Sequence, residues 1–256
     1  MAFPTTPILD TFTRTEGPPP SADYSTPTFL SGMQADGDEC VSSGVNGLAV
    51  YDTVYPSGQE VFAQLTQKPS DGNAASLLLQ AQQVGSALTL DAYQIVITSV
   101  AGAGNDTIQL QRASNAATFN IGSAITQEVT AGDWFGIRRF ATTLQVFYGS
   151  TLAGMTLQTT QTDNNISGTG QLALGFGSTS GAWDNFGGGT WIPYPRPRAG
   201  SQTLRTFDRV GRRIGGAKLL SMGDYRNEIA TLGKERKLWF IPQYAGVGAL
   251  RRESRP

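Results

Sequence analysis

Apolar residues between positions 1 and 193 recur at every second place, and that period decides the class of fold. In "GQEVFAQLTQ" Val61, Ala63 and Leu65 share one face, "DAYQIVIT" aligns Tyr93, Ile95 and Ile97, and "NDTIQLQRAS" alternates Ile108 and Leu110 with Gln109 and Gln111. Successive side chains of a strand point to opposite faces, so this spacing suits a sheet buried on one side. "NAASLLLQAQQ" is more continuously apolar, and "ATFNIGS", "DWFGIRRF", "TTLQVFYGS" and "GQLALGFGS" continue the series between clusters of Gly, Asn, Asp, Ser and Pro. No comparable run has the 3.6-residue period of a helix. The expected fold is all-β, an antiparallel sandwich or jelly roll, and alternating βαβ units are excluded.

The chain is long enough, at 256 residues, to bury a large core without staples. Its single cysteine, Cys40, cannot form an internal disulfide, and a chain with no histidine has no Cys/His zinc signature and no Ser-His-Asp or Cys-His mechanism. Cys40 is expected to be a half-buried structural residue. The start "MAFPTTPILD" has neither a basic nor an apolar leader region, so synthesis in the cytoplasm without export is expected. The best apolar stretch, "LWFIPQYAGVGAL", is broken by Pro242 and falls short of the roughly 20 residues that span a bilayer, which argues against a membrane partner.

A formal charge of −1 hides a division. Residues 1–193 carry five Lys/Arg against fifteen Asp/Glu, a net of −10, whereas residues 194–256 carry fourteen against five, a net of +9. Near the boundary stands "AWDNFGGGTWIPYPRPRAG". A phosphate-cradling loop needs a strand running into a helix, and Gly187, Gly188 and Gly189 lead instead to Thr190, Trp191 and a proline series that cannot be helical. These glycines read as a bulge or a close backbone approach in the last strand of the body.

The body resembles the concanavalin A-like, laminin-G-type jelly rolls found in tailed-bacteriophage virion proteins and in some secreted bacterial proteins. The resemblance rests on "ILDTFTRTEGP", "EVFAQLTQ", "DAYQIVI", "TQEVTAGDWFGIRR" with "TTLQVFYGSTLAG", "GQLALGFG" and "AWDNFGGGT", in that order over roughly residues 7–190. It implies that the opening strand, carrying Phe12, and the closing strand, carrying Phe186, lie in one sheet. It also implies a virion protein made in the host cytoplasm.

Some jelly rolls of this shape are glucanases, but two carboxylates facing each other across a groove are required. The E-x-D-x-x-E series is missing, and Asp36 and Asp38 sit in a turn, "QADGDE". The oxygen-rich "QADGDE" and "GAGNDT" segments offer ligands to Ca2+ without matching a full calcium loop, and turn chemistry alone accounts for such composition. No other cofactor is expected. If they point outward, Trp134, Tyr148 and Trp183 are candidates to stack on a glycan, although strand aromatics more often serve the core.

Residues 194–256 read as an extended, mostly irregular basic arm. "DYRNEIATLGKERKLWF" is a candidate short helix capped by Asp224. The cations Arg196, Arg198, Arg205, Arg209, Arg212 and Arg213, with the apolar anchors Leu238, Trp239, Phe240, Ile241 and Tyr244, have the composition of a protein interface. Nucleic acid is disfavoured, because an acidic body repels phosphates and no folded nucleic-acid motif is present. The expectation is a non-enzymatic virion protein, a capsid decoration or a tail or baseplate component. Its arm contacts neighbouring capsid or tail subunits, and it recurs as a homo-oligomer or symmetric array. The alternatives are a carbohydrate-binding adhesion module for host-surface glycans and a glycoside hydrolase.

Overall fold

The computed structural model describes residues 3–83, 90–114, 117–192, 238–241 and 249–252. Contacts divide the chain into two units, Met1–Pro193 and Tyr194–Pro256. In the first unit the chain runs through β1 (Ile8–Asp10), β2 (Thr15–Glu16), β3 (Tyr24–Ser25), β4 (Met33–Asp36), β5 (Cys40–Ser42) and β6 (Gly47–Tyr55). It continues with β7 (Gln59–Gln67), β8 (Ala74–Gln83), β9 (Leu90–Thr98), β10 (Thr107–Ser114), β11 (Ala117–Asn120) and β12 (Ile125–Thr126). The last five are β13 (Trp134–Phe140), β14 (Thr143–Gly149), β15 (Thr156–Thr162), β16 (Gly170–Phe176) and β17 (Ala182–Thr190). Among the described residues the one helical turn is the 3-10 segment Leu152–Gly154.

Two antiparallel sheets face each other as a jelly-roll sandwich. One has the order β15-β14-β13-β7-β17-β5-β4-β2, with β1 also on β17. The other has the order β11-β10-β9-β8-β16-β6-β3, with β12 on β10. The period-two residues meet between them: Val61, Ala63, Leu65, Phe135 and Ile137 from the first sheet pack with Leu77, Leu79, Tyr93, Ile95, Ile97, Ile108 and Leu110 from the second. The continuous apolar run of β8 has its reason here. Leu77 and Leu79 enter this core, while Leu78 joins a smaller cluster with Leu48, Val50 and Ala173. Polar β15, "TLQTTQT", carries no alternating apolar signal because it is the sheet's outermost strand and pairs with β14 alone.

The triple glycine lies in β17. Asp184 pairs with Gln64 and Gly187 with Phe62, so Asn185 and Phe186 together oppose Ala63: a bulge, as the sequence suggested. A Cβ on Gly187 would stand 2.2 Å from the Phe62 ring, and one on Gly188, whose φ is +154°, would stand 2.5 Å from the Glu60 carbonyl oxygen. Only glycine admits both approaches. The opening and closing strands do share a sheet, with Asp10 opposite Phe186. Phe12 itself lies two residues past β1 at φ +48°, fully buried, where its backbone N–H donates to the Asp10 carboxylate at 2.8 Å. Cys40 is wholly buried in β5, not half-buried, and burial pushes its thiol well above the ordinary value.

In the second unit β18 (Leu238–Ile241) pairs antiparallel with β19 (Ala249–Arg252). Leu238, Trp239 and Phe240 therefore have extended backbone and do not end a helix as expected. Trp183, at the sandwich centre, stacks on Phe176 at 5.7 Å and meets Phe135 edge-on at 6.2 Å. Truncating Trp183→Ala removes the largest fully buried side chain, and should cost about 3–5 kcal/mol by denaturant unfolding.

Candidate functional site

The outer face of the first sheet carries its densest chemistry. Along β7 the outward residues are Glu60, Phe62 and Gln64, and along β13 they are Trp134, Gly136 and Arg138, because neighbours in a strand alternate. A Cβ on Gly136 would fall 2.3 Å from the Phe3 ring, so that glycine leaves a floor for the ring to lie on. Phe3 stacks on Phe147 with centroids 3.9 Å apart and planes 3° from parallel, and stands edge-on to Phe62 at 6.2 Å. Phe3, Phe62, Trp134, Phe147 and Met155 form a separate buried apolar cluster.

Within this aromatic setting lies an ion pair. Arg138 donates from Nε at 2.9 Å and from Nη2 at 2.6 Å to Glu60 Oε2. Its guanidinium lies over the rings of Trp191, Phe3 and Phe147 at 4.4, 4.8 and 5.2 Å. Glu60 Oε1 accepts from both the backbone N–H and the hydroxyl of Thr5 and Thr6, at 2.6 to 3.0 Å. Burial alone raises the Glu60 carboxyl, but the Thr5 N–H and the Arg138 charge more than offset it, and it sits below its ordinary value. Glu60 is thus an ionised, saturated acceptor with no proton to give. Residues 3–6 close over the pair, beside a largely apolar hollow of about 510 Å³ lined by Phe3, Pro4, Thr6, Ile8, Phe62 and Leu152.

The aromatic platforms named from sequence are corrected by burial. Trp183 is 0% exposed, with its indole N–H donating to the Gly175 carbonyl at 3.3 Å. Trp134 is 8% exposed and tilts against Phe62. Tyr148 is half-buried, packing on Phe135 while its hydroxyl donates to Asp133 at 2.8 Å. Among the described residues the exposed aromatics are Phe119 at 46%, under Arg112, and Phe140 at 45%, edge-on to Trp191. Phe119 stands on a strand exposed along its length and Phe140 on the last residue of a strand. Period-two reading says nothing special of either.

The acidic loops are also occupied by protein partners. Asp106 of "GAGNDT" takes Lys68 Nζ on Oδ2 at 2.7 Å and the backbone N–H groups of Val100 and Val129 at 2.8 and 2.9 Å. "QADGDE" is the tight turn between β4 and β5, with Gly37 at φ +84° and the Asp36 N–H on the Glu39 carbonyl at 2.8 Å. Near that turn, burial first and then the charges of Glu39 and Asp38 raise Asp184 above its ordinary value. Among the described residues no group of three or more His, Cys, Asp or Glu is placed to hold a metal ion, and no helix is long and apolar enough to cross a membrane. Arg196, Arg198, Arg205, Arg209, Arg212, Arg213 and Tyr244 lie outside the described residues.

No protein-family profile matches the chain, and no curated protein sequence does. Solved structures do. The VIP36 exoplasmic/lumenal domain in its Ca2+/Man-bound form aligns with a TM-score of 0.51 at 8% identity, over 69% of this chain and 86% of that one. A CBM66 carbohydrate-binding module from Bacillus subtilis aligns at 0.48 and 14% identity, over 66% and 96%. A β-glucanase from Bacillus licheniformis aligns at 0.49 and 11%, over 72% and 97%. At such identities the likeness is one of fold alone, an antiparallel jelly-roll sandwich.

Two outcomes are expected. Replacing Glu60→Gln leaves the Arg138 charge buried against a neutral group, so stability should fall by about 3–5 kcal/mol and the Thr5 and Thr6 amides should lose protection in hydrogen exchange. Asp10, Glu60, Asp106 and Asp163 all lie below their ordinary values of 3.8 for Asp and 4.5 for Glu, whereas Asp184 lies above. A lowered carboxyl contributes stability in full above its unfolded value and loses it as pH falls through the folded one. Asp184 acts in the opposite sense, alone against four. Calorimetry should therefore find the unfolding temperature holding down to about pH 4.5 and dropping below it.

Proposed function

We propose that this chain is a non-enzymatic structural protein of a tailed-phage particle, its jelly-roll body displayed and its basic C-terminal unit attached to neighbouring capsid or tail subunits. The observation that carries the reading is the charge division at the boundary between the two units: −10 over residues 1–193 and +9 over residues 194–256. A cationic segment rich in aromatic and aliphatic anchors is suited to a protein interface. Support for a non-catalytic body comes from four of its carboxylates. Asp10, Glu60, Asp106 and Asp163 each hold a cation in an ion pair and are kept ionised, which leaves none of them a proton to donate to a leaving group. The phage setting rests on the family resemblance of the sequence.

Truncation tests the reading. A chain ending at Ile192 keeps Trp191 on Arg138 and so preserves the body. Supplied in place of the full chain during particle assembly, it should fold and remain soluble, yet be missing from purified particles. Incorporation at the full-length level would overturn the attachment role. Saturable binding of a neutral oligosaccharide by the truncated body would favour the carbohydrate-binding alternative, and release of reducing ends from a polysaccharide would favour the hydrolase.

A further inference from the structure

The five cations of residues 1–193 are not equivalent. Arg14, Lys68, Arg112 and Arg138 each form an ion pair with a carboxylate at 2.6 to 2.8 Å. Arg139 forms none among the described residues. It is 3% exposed, and its Nε and Nη1 have no hydrogen-bond partner. The side chain extends from the inner face of β13 and lies over the Tyr93 ring at 4.7 Å, so it stands between the two sheets.

What surrounds it makes a coherent site. The Tyr93 hydroxyl donates to Asp163 Oδ1 at 2.6 Å, and Arg112 Nη1 donates to Asp163 Oδ2 at 2.8 Å. Asp163 also accepts from the Asn165 backbone N–H at 2.8 Å and from its side-chain amide, which fills the carboxylate's capacity. Arg112 adds a third unpartnered nitrogen, its Nε, and rests on the exposed ring of Phe119 at 4.6 Å. Two guanidinium groups thus stand near one carboxylate that pairs with Arg112 alone, so these three groups sum to a charge of +1 and leave three buried nitrogens without an acceptor. The Tyr93 face offers Arg139 a cation–π contact but no lone pair. A buried charge with unmet donors is costly, and an opposite charge or acceptor offsets that cost. The Arg112 and Asp163 side chains, 16% and 12% exposed, open the cluster to solvent.

We propose that Arg112, Arg139, Tyr93 and Asp163 form a binding site for a single carboxylate group, the anion whose unit charge balances the cluster and whose two oxygens suit guanidinium donors. Asp163 is the positioning residue, holding Arg112 in place, and Arg139 is the inner donor. The ligand is a small carboxylic acid or the carboxylate of an acidic saccharide. The inference stands on these residues alone and does not require the attachment role.

The test uses the full-length protein. Sodium acetate, sodium glucuronate, glucose and sodium chloride are compared at matched ionic strength, by thermal unfolding and by the guanidinium Nε–H resonances of Arg112 and Arg139. Acetate or glucuronate should raise the unfolding temperature saturably and shift both resonances together, whereas glucose and chloride should not. Tighter binding of glucuronate than of acetate assigns an acidic saccharide, and equal binding assigns the free carboxylate. Arg139→Met should weaken the carboxylate effect at least tenfold while glucose remains without effect. Equal responses to acetate, glucuronate and chloride, or unmoved Arg139 resonances in the unsubstituted protein, would overturn the proposal whether or not the variant folds.

Discussion

The Glu60–Arg138 pair governs how the body is closed. Both charges lie on the outer face of a sheet, a face that would ordinarily meet water, and both are nonetheless buried. Their desolvation is tolerable because every strong site on the carboxylate is filled: Oε2 by the guanidinium, Oε1 by four donors from Thr5 and Thr6. Those donors come from residues 3–6, so the charge fixes that segment on the sheet. Phe3, carried along by it, then needs the flat floor of Gly136 and the ring of Phe147. Trp191, just beyond β17, closes the guanidinium from another side. One pair thereby joins both ends of the body to β7 and β13.

The same economy recurs across the body. Lys68 holds the Val100–Asp106 loop and the segment around Val129 through one buried carboxylate, and Arg14 holds the turn after β1 through Asp10. Cations used as internal ties have their charge already paired, so what the body presents outward is weighted toward carboxylates such as Asp36, Asp38, Asp52 and Asp71. That excess of one sign is a physical reason for a basic segment to be carried by the same chain and not by the body itself.

Period two identified the fold because nearly every long strand has one face in a shared apolar layer. It located Val61, Ala63, Leu65, Tyr93, Ile95 and Ile97 correctly in that layer. It failed in two places, for different reasons. Strand β15 at the sheet edge needs no buried face and so carries no alternation, and Leu238–Phe240 reads as the end of a helix because its extended backbone is set by pairing with residues of Ala249–Arg252, ten or so residues away. The chemistry was harder to see. Glu60 and Arg138 are 78 positions apart, and Arg112 and Asp163 are 51 apart, with nothing in local spacing to join them. Trp134 and Trp183 drew notice as aromatics, but which face of a strand is covered depends on what else packs there, here residues 3–6 and the opposite sheet.

Strand β17 has one more implication, for synthesis. Ile8 near the start pairs with Gly187 near the end of the body, and β7 in the sheet's middle pairs with the same closing strand. Contacts that distant in sequence form slowly, and the first sheet has no complete interior without its last strand. The second sheet can pair β8, β9 and β10 from near neighbours in the chain, whereas the first sheet closes only when residues 182–190 reach it, so the two layers of one sandwich depend on very different lengths of completed chain.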